Sequence, residues 1–257
     1  MRRPVWALVF ALVAAGSWSD RGSSQSPPGP ASAPKLTYAD QGWTPADRRA
    51  FYRMSQGSRL IPYEWFKALP RPKSDEPFGA DGLKRYGYLR NEYATNDLPI
   101  GFVVDNRVQP NLLGMTCAAC HTGQLEYKKD GVTYALRLDG APAHADFQLF
   151  LADLRDAARE TSANPQRFEA FAKTVLGKGY SPAKASDLKV EFDAWTTQFG
   201  DFMDRSLPPS PWGPGRLDAF NMIFNRVAAH DIDQPQNFAV ADAPVSYPFL
   251  WNAGKQD

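Results

Sequence analysis

The chain has 257 residues and balances 29 basic against 28 acidic side chains, so it lacks the positive field that nucleic-acid binding requires. With 43% apolar and 22% charged residues, it has the composition of a folded globule and not of a disordered chain. Its two cysteines are too few for a disulfide scaffold.

The N-terminus has the pattern of a secretory signal peptide over residues 1–17. Arg2 and Arg3 precede an apolar run over residues 5–15, and small residues follow. This run is too short to cross about 30 Å of hydrocarbon as a helix, so we expect no stable membrane span. Residues 18–37 are rich in Ser, Pro and Gly and predict a flexible linker. We therefore expect a periplasmic or secreted protein whose folded domain covers residues 38–257.

The folded domain is predicted to be mainly helical. Thr44-Pro45 indicates the start of a short helix, and a second is expected near residues 63–69. One strand is predicted at residues 101–105, and Asp130-Gly131 between two alternating segments predicts a β-hairpin. Apolar residues at helical spacing predict four later helices, which cover residues 145–160, the region of 168–175, the region after Ser181-Pro182, and residues 216–228.

Both cysteines lie in Cys117-Ala118-Ala119-Cys120-His121, the C-x-x-C-H pattern of c-type haem attachment. In this chemistry the two thiols add to the two haem vinyl groups, and the adjacent histidine supplies an imidazole to the iron. We therefore predict one covalently attached haem c, held by Cys117 and Cys120, with His121 as the proximal iron ligand. Thioether attachment is completed on the exported side, in agreement with the predicted signal peptide.

Three alternative interpretations of the motif have less support from the sequence. A structural zinc site needs four ligands and would have to recruit His144 or His230. A thioredoxin-like redox pair belongs at a strand-to-helix turn, whereas a predicted hairpin follows this motif. A plain structural disulfide is the third alternative. Haem is favoured because the motif coincides with an export signal and with the absence of any other cysteine.

The sequence does not identify the sixth iron ligand. An electron carrier closes the iron with Met or a second His, whereas an open iron suits peroxide or dioxygen chemistry. Met115 is too close to Cys117 in sequence to reach the opposite face easily. The remaining candidates are Met203, Met222, His144 and His230.

The sequence resembles the bacterial di-haem cytochrome c peroxidase-like proteins, in particular the branch close to the rubber oxygenases. The similarity runs in patches from residue 56 to residue 251. The patches are Gln56-Gly57-Ser58, Pro62-Tyr63-Glu64-Trp65-Phe66, Tyr86-Gly87-Tyr88, Leu98-Pro99-Ile100-Gly101-Phe102, Gly114-Met115-Thr116 through Gly123, Arg137-Leu138-Asp139-Gly140, Gly213-Pro214-Gly215-Arg216-Leu217-Asp218-Ala219 and Pro244-Val245-Ser246-Tyr247-Pro248-Phe249-Leu250-Trp251.

This resemblance implies an elaborated cytochrome c-type haem domain with long loops and a small β-hairpin. It implies an exported protein in which one haem reacts with peroxide or dioxygen and a second relays electrons. Arg137 and Arg216 become candidates for contacts with the haem propionates, because a guanidinium pairs well with a carboxylate. The aromatic residues Tyr247, Phe249 and Trp251 are expected on the distal side or at the edge that faces a second haem.

The chain departs from this family in having a single C-x-x-C-H motif. We therefore expect residues 38–257 to be the N-terminal part of a longer two-haem protein, whose partner is a second haem domain or a redox protein. Three functions follow as hypotheses. They are a peroxidase-like or oxygenase-like haem oxidoreductase, a mono-haem electron carrier, and a non-catalytic haem subunit.

Overall fold

The computed structural model describes residues 33–255. The predicted signal peptide, and the linker as far as residue 32, lie outside the described residues. The first strand, β1 (Lys35–Tyr38), begins inside the segment that composition assigns to the linker. These residues form a strand because they pair with residues 134–137, and local composition does not reveal a partner so far along the chain.

Helices form where the capping signals are strong. Thr44 accepts the Asp47 backbone N–H, and the Asp47 carboxylate accepts the Thr44 N–H, which closes a capping box at the first helix. Asn164 and Ser181 cap two later helices, each of which has Pro at its first position. The helices are α1 (Pro45–Arg53), α2 (Tyr63–Ala68), α3 (Phe147–Ala163), α4 (Pro165–Leu176), α5 (Pro182–Ser206) and α6 (Ala219–Phe224), which continues as a π-helical segment over Asn225–His230.

The strands in the described part of the chain form three small sheets. The remaining strands are β2 (Ile61–Pro62), β3 (Phe102–Asp105), β4 (Leu112–Met115), β5 (Thr122–Lys129), β6 (Val132–Asp139), β7 (Arg216–Leu217) and β8 (Val245–Ser246). The sheet orders are β1-β6-β5, β2-β4-β3 and β7-β8. β1 runs parallel to β6, and the other pairs are antiparallel.

The predicted hairpin is present and fixes the register next to the cysteine motif. β5 and β6 pair from Thr122 opposite Asp139 to Lys129 opposite Val132. Asp130 and Gly131 both have positive φ, 51° and 76°, as the two-residue turn of a hairpin requires. Because β5 begins directly after His121, this pairing anchors the end of the motif.

The prediction of a mainly α, elaborated cytochrome c-type domain with one small hairpin is wrong. Over residues 33–255 the chain is 43% helical and 16% strand with several small sheets, which makes this part a mixture of α and β. The strands β2, β7 and β8 have two residues each, too few to show an alternating pattern. β1 pairs with a strand about a hundred residues away, so its partner cannot be found from local sequence.

The main core packs α2 to α5 against the chain around β3 and β4. Phe150 of α3 lies at its centre, with ring-centroid distances of 5.5 to 6.1 Å to four buried aromatic rings, those of Phe78, Tyr86, Tyr88 and Phe102. A smaller core of Tyr52, Ile100 and Ala118 lies beneath the cysteine motif. Among the described residues we find no helix with the length and apolar character needed to cross a membrane.

Candidate functional site

The motif forms a tight turn that presents one thiol to solvent. Cys117–Ala119 make a single 3₁₀ turn, and the Thr116 side chain accepts the Ala118 N–H at 3.3 Å. Ala118 and Ala119 are buried, whereas Cys117 is exposed and Cys120 is half-buried. The two small residues between the cysteines therefore anchor the turn in the protein, and the thiols occupy its ends.

A glycine makes room for this turn. The Thr116 N–H donates to the Gly101 carbonyl at 2.7 Å, and Gly101 has a φ of +78°. A Cβ at position 101 would lie 2.1 Å from the Ala119 backbone nitrogen. Glycine is the residue that tolerates both this conformation and this close approach.

His121 has its side chain oriented by a backbone carbonyl. Its Nδ1 lies 2.9 Å from the Pro248 oxygen, which can only accept a hydrogen bond, so the proton sits on Nδ1 and Nε2 keeps its lone pair. Burial lowers the pKa of His121, and the Pro248 carbonyl opposes this shift only in part. A neutral imidazole with a free Nε2 is the form that binds a metal ion.

The two thiols differ in their surroundings. The Cys117 backbone N–H and Sγ both donate to the Gln56 side-chain oxygen, at 3.0 and 3.2 Å. Burial raises the pKa of the Cys120 thiol to about 11. Both cysteines are free of a disulfide in the structure.

Two buried tyrosines lie close to Cys120. The hydroxyl groups of Tyr88 and Tyr247 have no hydrogen-bond partner within residues 33–255. Burial, and then the neighbouring Cys120, raise the pKa of both hydroxyl groups. The Tyr247 ring centroid is 6.2 Å from that of His121. Tyr247 therefore packs beside the expected proximal ligand.

The described residues fit the attachment chemistry of haem. They place two free thiols and an imidazole with an available Nε2 on one turn, and the exposed apolar residues Phe249 and Trp251 follow the Pro248 carbonyl in the chain. The cavity under the turn holds only about 10 Å³, room for a water molecule and not for a porphyrin. This cavity would therefore not accommodate a haem, and Cys117, Cys120 and His121 are the residues that would hold one.

The two arginines predicted to contact propionates lie in different environments. Arg137 is buried, and its guanidinium donates to Gln124, Glu92 and the Arg90 carbonyl. Its hydrogen bonds are therefore used within the protein. Arg216 is exposed in β7 and makes no ion pair or side-chain hydrogen bond with the described residues. It lies opposite Ser246, two residues before Pro248, and has its guanidinium free for a ligand.

The four candidates for the sixth iron ligand lie in different environments. Met203 is buried in the main core, and Met222 packs against that core from α6. His144 is exposed, with its Nδ1 beside Gly215. His230 contacts Gln198 at 3.3 Å and Asp231 at 3.1 Å. Within residues 33–255 no group of three or more His, Cys, Asp or Glu side chains is placed to hold a metal ion.

The segment after β8 covers the end of the hairpin. The Leu250 N–H donates to the Gly140 carbonyl at 2.8 Å, and Trp251 Nε1 donates to the Asp139 carbonyl at 3.1 Å. Phe249 stacks on Trp251 with a centroid distance of 5.7 Å. The contacts of Pro248 and Gln56 were not predicted from the sequence. A backbone carbonyl leaves no sequence signal, and Gln56 appeared only within a patch of family resemblance.

A larger cavity of about 260 Å³ shares no lining residue with the motif. It lies between α2 and two loops, and Tyr63, Lys67 and Asp97 are among its lining residues. The Lys67 ammonium is already paired with Glu64 at 2.7 Å. The Lys67 ammonium is therefore not free to bind a ligand in this cleft.

The chain is similar over most of its length to one curated protein, Uncharacterized protein y4iJ of Sinorhizobium fredii (strain NBRC 101917 / NGR234). The two are 32% identical over an alignment of 245 residues, and the alignment covers 85% of this chain and 40% of the relative. The chain therefore spans about two fifths of the length of that relative. No family model and no solved structure matches the chain.

Proposed function

We propose that this chain is an exported c-type haem protein of the cytochrome c peroxidase-like class. It binds one haem c covalently through Cys117 and Cys120, with His121 as the proximal ligand, and it serves electron transfer with peroxide or dioxygen chemistry at an open iron. The observation that carries the proposal is the hydrogen bond between His121 Nδ1 and the Pro248 carbonyl. In a C-x-x-C-H motif this bond leaves Nε2 as the free nitrogen of the imidazole.

The protein's own groups prepare the site in three ways. The Pro248 carbonyl holds the proton on Nδ1 and increases the electron density available at Nε2. Burial lowers the pKa of His121 and so favours the neutral ring. The exposed guanidinium of Arg216 is a candidate partner for a haem carboxylate. When bound, haem supplies the redox chemistry that amino-acid side chains lack.

A non-catalytic haem subunit is the second candidate, and the distribution of exposed apolar residues favours it. Of the 16 large apolar side chains that are exposed among the described residues, ten lie at or after Phe220. A surface of this kind suits a chain that completes its site with a further protein domain. The segment from Phe220 to Trp251 would then be an interface as well as a cover for the motif.

The test is the visible spectrum of the protein matured in a periplasm that contains haem-attachment enzymes. We expect haem that stays bound after denaturation in the wild type and in the control His144→Ala, and none in a variant with both cysteines replaced by serine. A high-spin ferric spectrum that shifts with cyanide or peroxide supports the open-iron function. A low-spin spectrum that neither ligand changes indicates an electron carrier, and the absence of covalent haem in the wild type overturns the proposal.

A further inference from the structure

A short segment formed by residues 56–58, here called the strap, lies against the chain that leads into the motif. The Met115 N–H donates to the Ser58 hydroxyl at 3.2 Å. Gly114 lies so close to the strap that a Cβ there would be 1.9 Å from the Ser58 carbonyl oxygen. Two residues further on, the Leu60 N–H donates to the Leu113 carbonyl at 2.8 Å. The strap is therefore fixed relative to the motif through contacts on β4.

Gln56 is the residue of the strap that touches the motif. Its side-chain oxygen accepts the Cys117 backbone N–H at 3.0 Å and the Cys117 thiol at 3.2 Å. One acceptor thus restrains both the first residue of the turn and the direction of its sulfur. Cys120 makes no such contact with the strap, because its sulfur lies among Tyr247 and Tyr88.

We propose that Gln56 is a positioning residue for haem attachment at Cys117, an inference that rests on the proposed function. In this step the thiol adds across a haem vinyl group. A sulfur–carbon bond forms, the vinyl π bond is consumed, and the thiol hydrogen ends on the other vinyl carbon. The addition consumes no external oxidant or reductant. Gln56 contributes by holding the exposed sulfur in one orientation, and it keeps its bond to the Cys117 N–H after the thiol hydrogen has left.

Three variants separate this role from a general effect on folding. Gln56→Met keeps the length of the side chain and removes the acceptor, whereas Gln56→Glu keeps an oxygen acceptor. Gln166→Ala, an exposed glutamine on α4, is the matched control. Mass spectrometry of the protein matured in the periplasm counts the chains with two, one or no thioether bonds. Iodoacetamide alkylation of the full chain made without haem measures the reactivity of each cysteine, and circular dichroism confirms that each variant is folded.

We expect Gln56→Met to lower doubly attached haem about threefold, the effect of one lost hydrogen bond, with single attachment through Cys120 accumulating. Without haem, Cys117 should be alkylated about threefold faster in this variant because its S–H has lost its acceptor, while Cys120 is unchanged. Gln56→Glu should restore attachment, and Gln166→Ala should resemble the wild type.

The proposal is overturned if Gln56→Met attaches haem and reacts with iodoacetamide as the wild type does. It is also overturned if the reactivities of Cys117 and Cys120 rise together, because that pattern indicates loosening of the whole turn. The proposed function fails separately, when the wild type itself carries no covalent haem. In that case the alkylation rates still report whether Gln56 restrains Cys117.

Discussion

Asp139 forms hydrogen bonds that connect three distant parts of the chain. Its carboxylate accepts hydrogen bonds from Arg48 Nε at 2.6 Å and from the Tyr52 hydroxyl, both on α1. Its backbone carbonyl accepts from Gln41 and from Trp251 near the other end of the described chain. The Asp139 side chain is fully buried, so removal of its charge would leave the Arg48 guanidinium buried without its partner. Asp139 lies opposite Thr122, directly after the motif, which makes this network the support of the site.

Asp105 at the end of β3 makes the stability of the fold depend on pH. Hydrogen bonds from the Arg107 guanidinium, and then from its backbone N–H, lower the pKa of Asp105 to about 2. The unfolded value is about 3.9, so the folded state favours the ionised form. The stabilisation is therefore fully present above about pH 4 and is lost as the pH falls through about 2.

We predict that Asp105→Asn weakens this dependence. Between pH 4 and pH 2 the free energy of unfolding should fall less steeply in the variant than in the wild type, as measured by urea denaturation at several pH values. Asp130→Asn at the exposed hairpin turn is the control and should follow the wild type. Identical acid profiles for Asp105→Asn and the wild type would contradict the assignment.

At the scale of elements, local signals predicted the helices and the hairpin well. The caps at Thr44, Asn164 and Ser181 and the turn at Asp130-Gly131 are complete within a few residues, so the sequence contains all the information they need. The short strands depend on partners far along the chain. β7 and β8 exist because Arg216 and Leu217 meet Ser246 and Val245, and a two-residue strand has no pattern of its own.

The beginning of β3 offers a test of how closely elements pack at the site. Gly101 and Gly42 have similar φ values, +78° and +72°, but a Cβ at Gly42 would meet nothing within 4 Å. We expect Gly101→Ala to cost about 2 kcal/mol more than Gly42→Ala, because only Gly101→Ala pushes the Ala119 backbone out of position.

The measurement for this prediction is the free energy of unfolding of both variants in urea. Gly42→Ala controls for the backbone conformation alone. Equal losses in the two variants would show that the motif turn moves away from Gly101 at little cost, and that the close approach does not constrain it.

At the scale of the whole molecule, the apolar surface is unevenly distributed. α6 and the segment after it expose four large residues spaced as on one face of a helix, namely Phe220, Ile223, Phe224 and Val227, with 77%, 61%, 58% and 51% of their surface accessible. Soluble monomers rarely expose a contiguous apolar patch of this kind without a function for it. Two earlier expectations, a second haem domain or a redox partner, would each supply a cover.

We predict that the isolated chain self-associates through this face as its concentration rises. The double variant Ile223→Asp with Phe224→Ser should stay folded, because exposed substitutions usually change stability by less than about 0.5 kcal/mol, and it should sediment as a monomer. Val190→Asp is the control, because it changes an exposed apolar residue on α5, and it should associate like the wild type. Sedimentation velocity at several concentrations measures the effect, and a monomeric wild type would contradict it.

The motif of the candidate site can be found in the sequence, whereas the contacts that support it cannot. Cys117, Cys120 and His121 lie within five residues of one another, so a local motif brings them together, and their roles in haem binding stay predictions. Pro248 and Gln56 reach the motif across 127 and 61 residues, and such contacts are decided by the path of the whole chain. Arg137 illustrates the opposite case, a residue whose charge suggested a ligand contact and whose hydrogen bonds are satisfied inside the protein.

The separation of 127 positions between His121 and Pro248 also has a consequence for the order of events during biosynthesis. A chain is synthesised from its N-terminus, so the motif and its hairpin exist well before residues 247–251 can dock on them. Closing so long a loop is slow compared with forming a hairpin. For that interval the turn is uncovered and accessible to an enzyme. The late arrival of the Pro248 carbonyl then acts as a closing step, which fixes the imidazole only after the turn and its hairpin have formed.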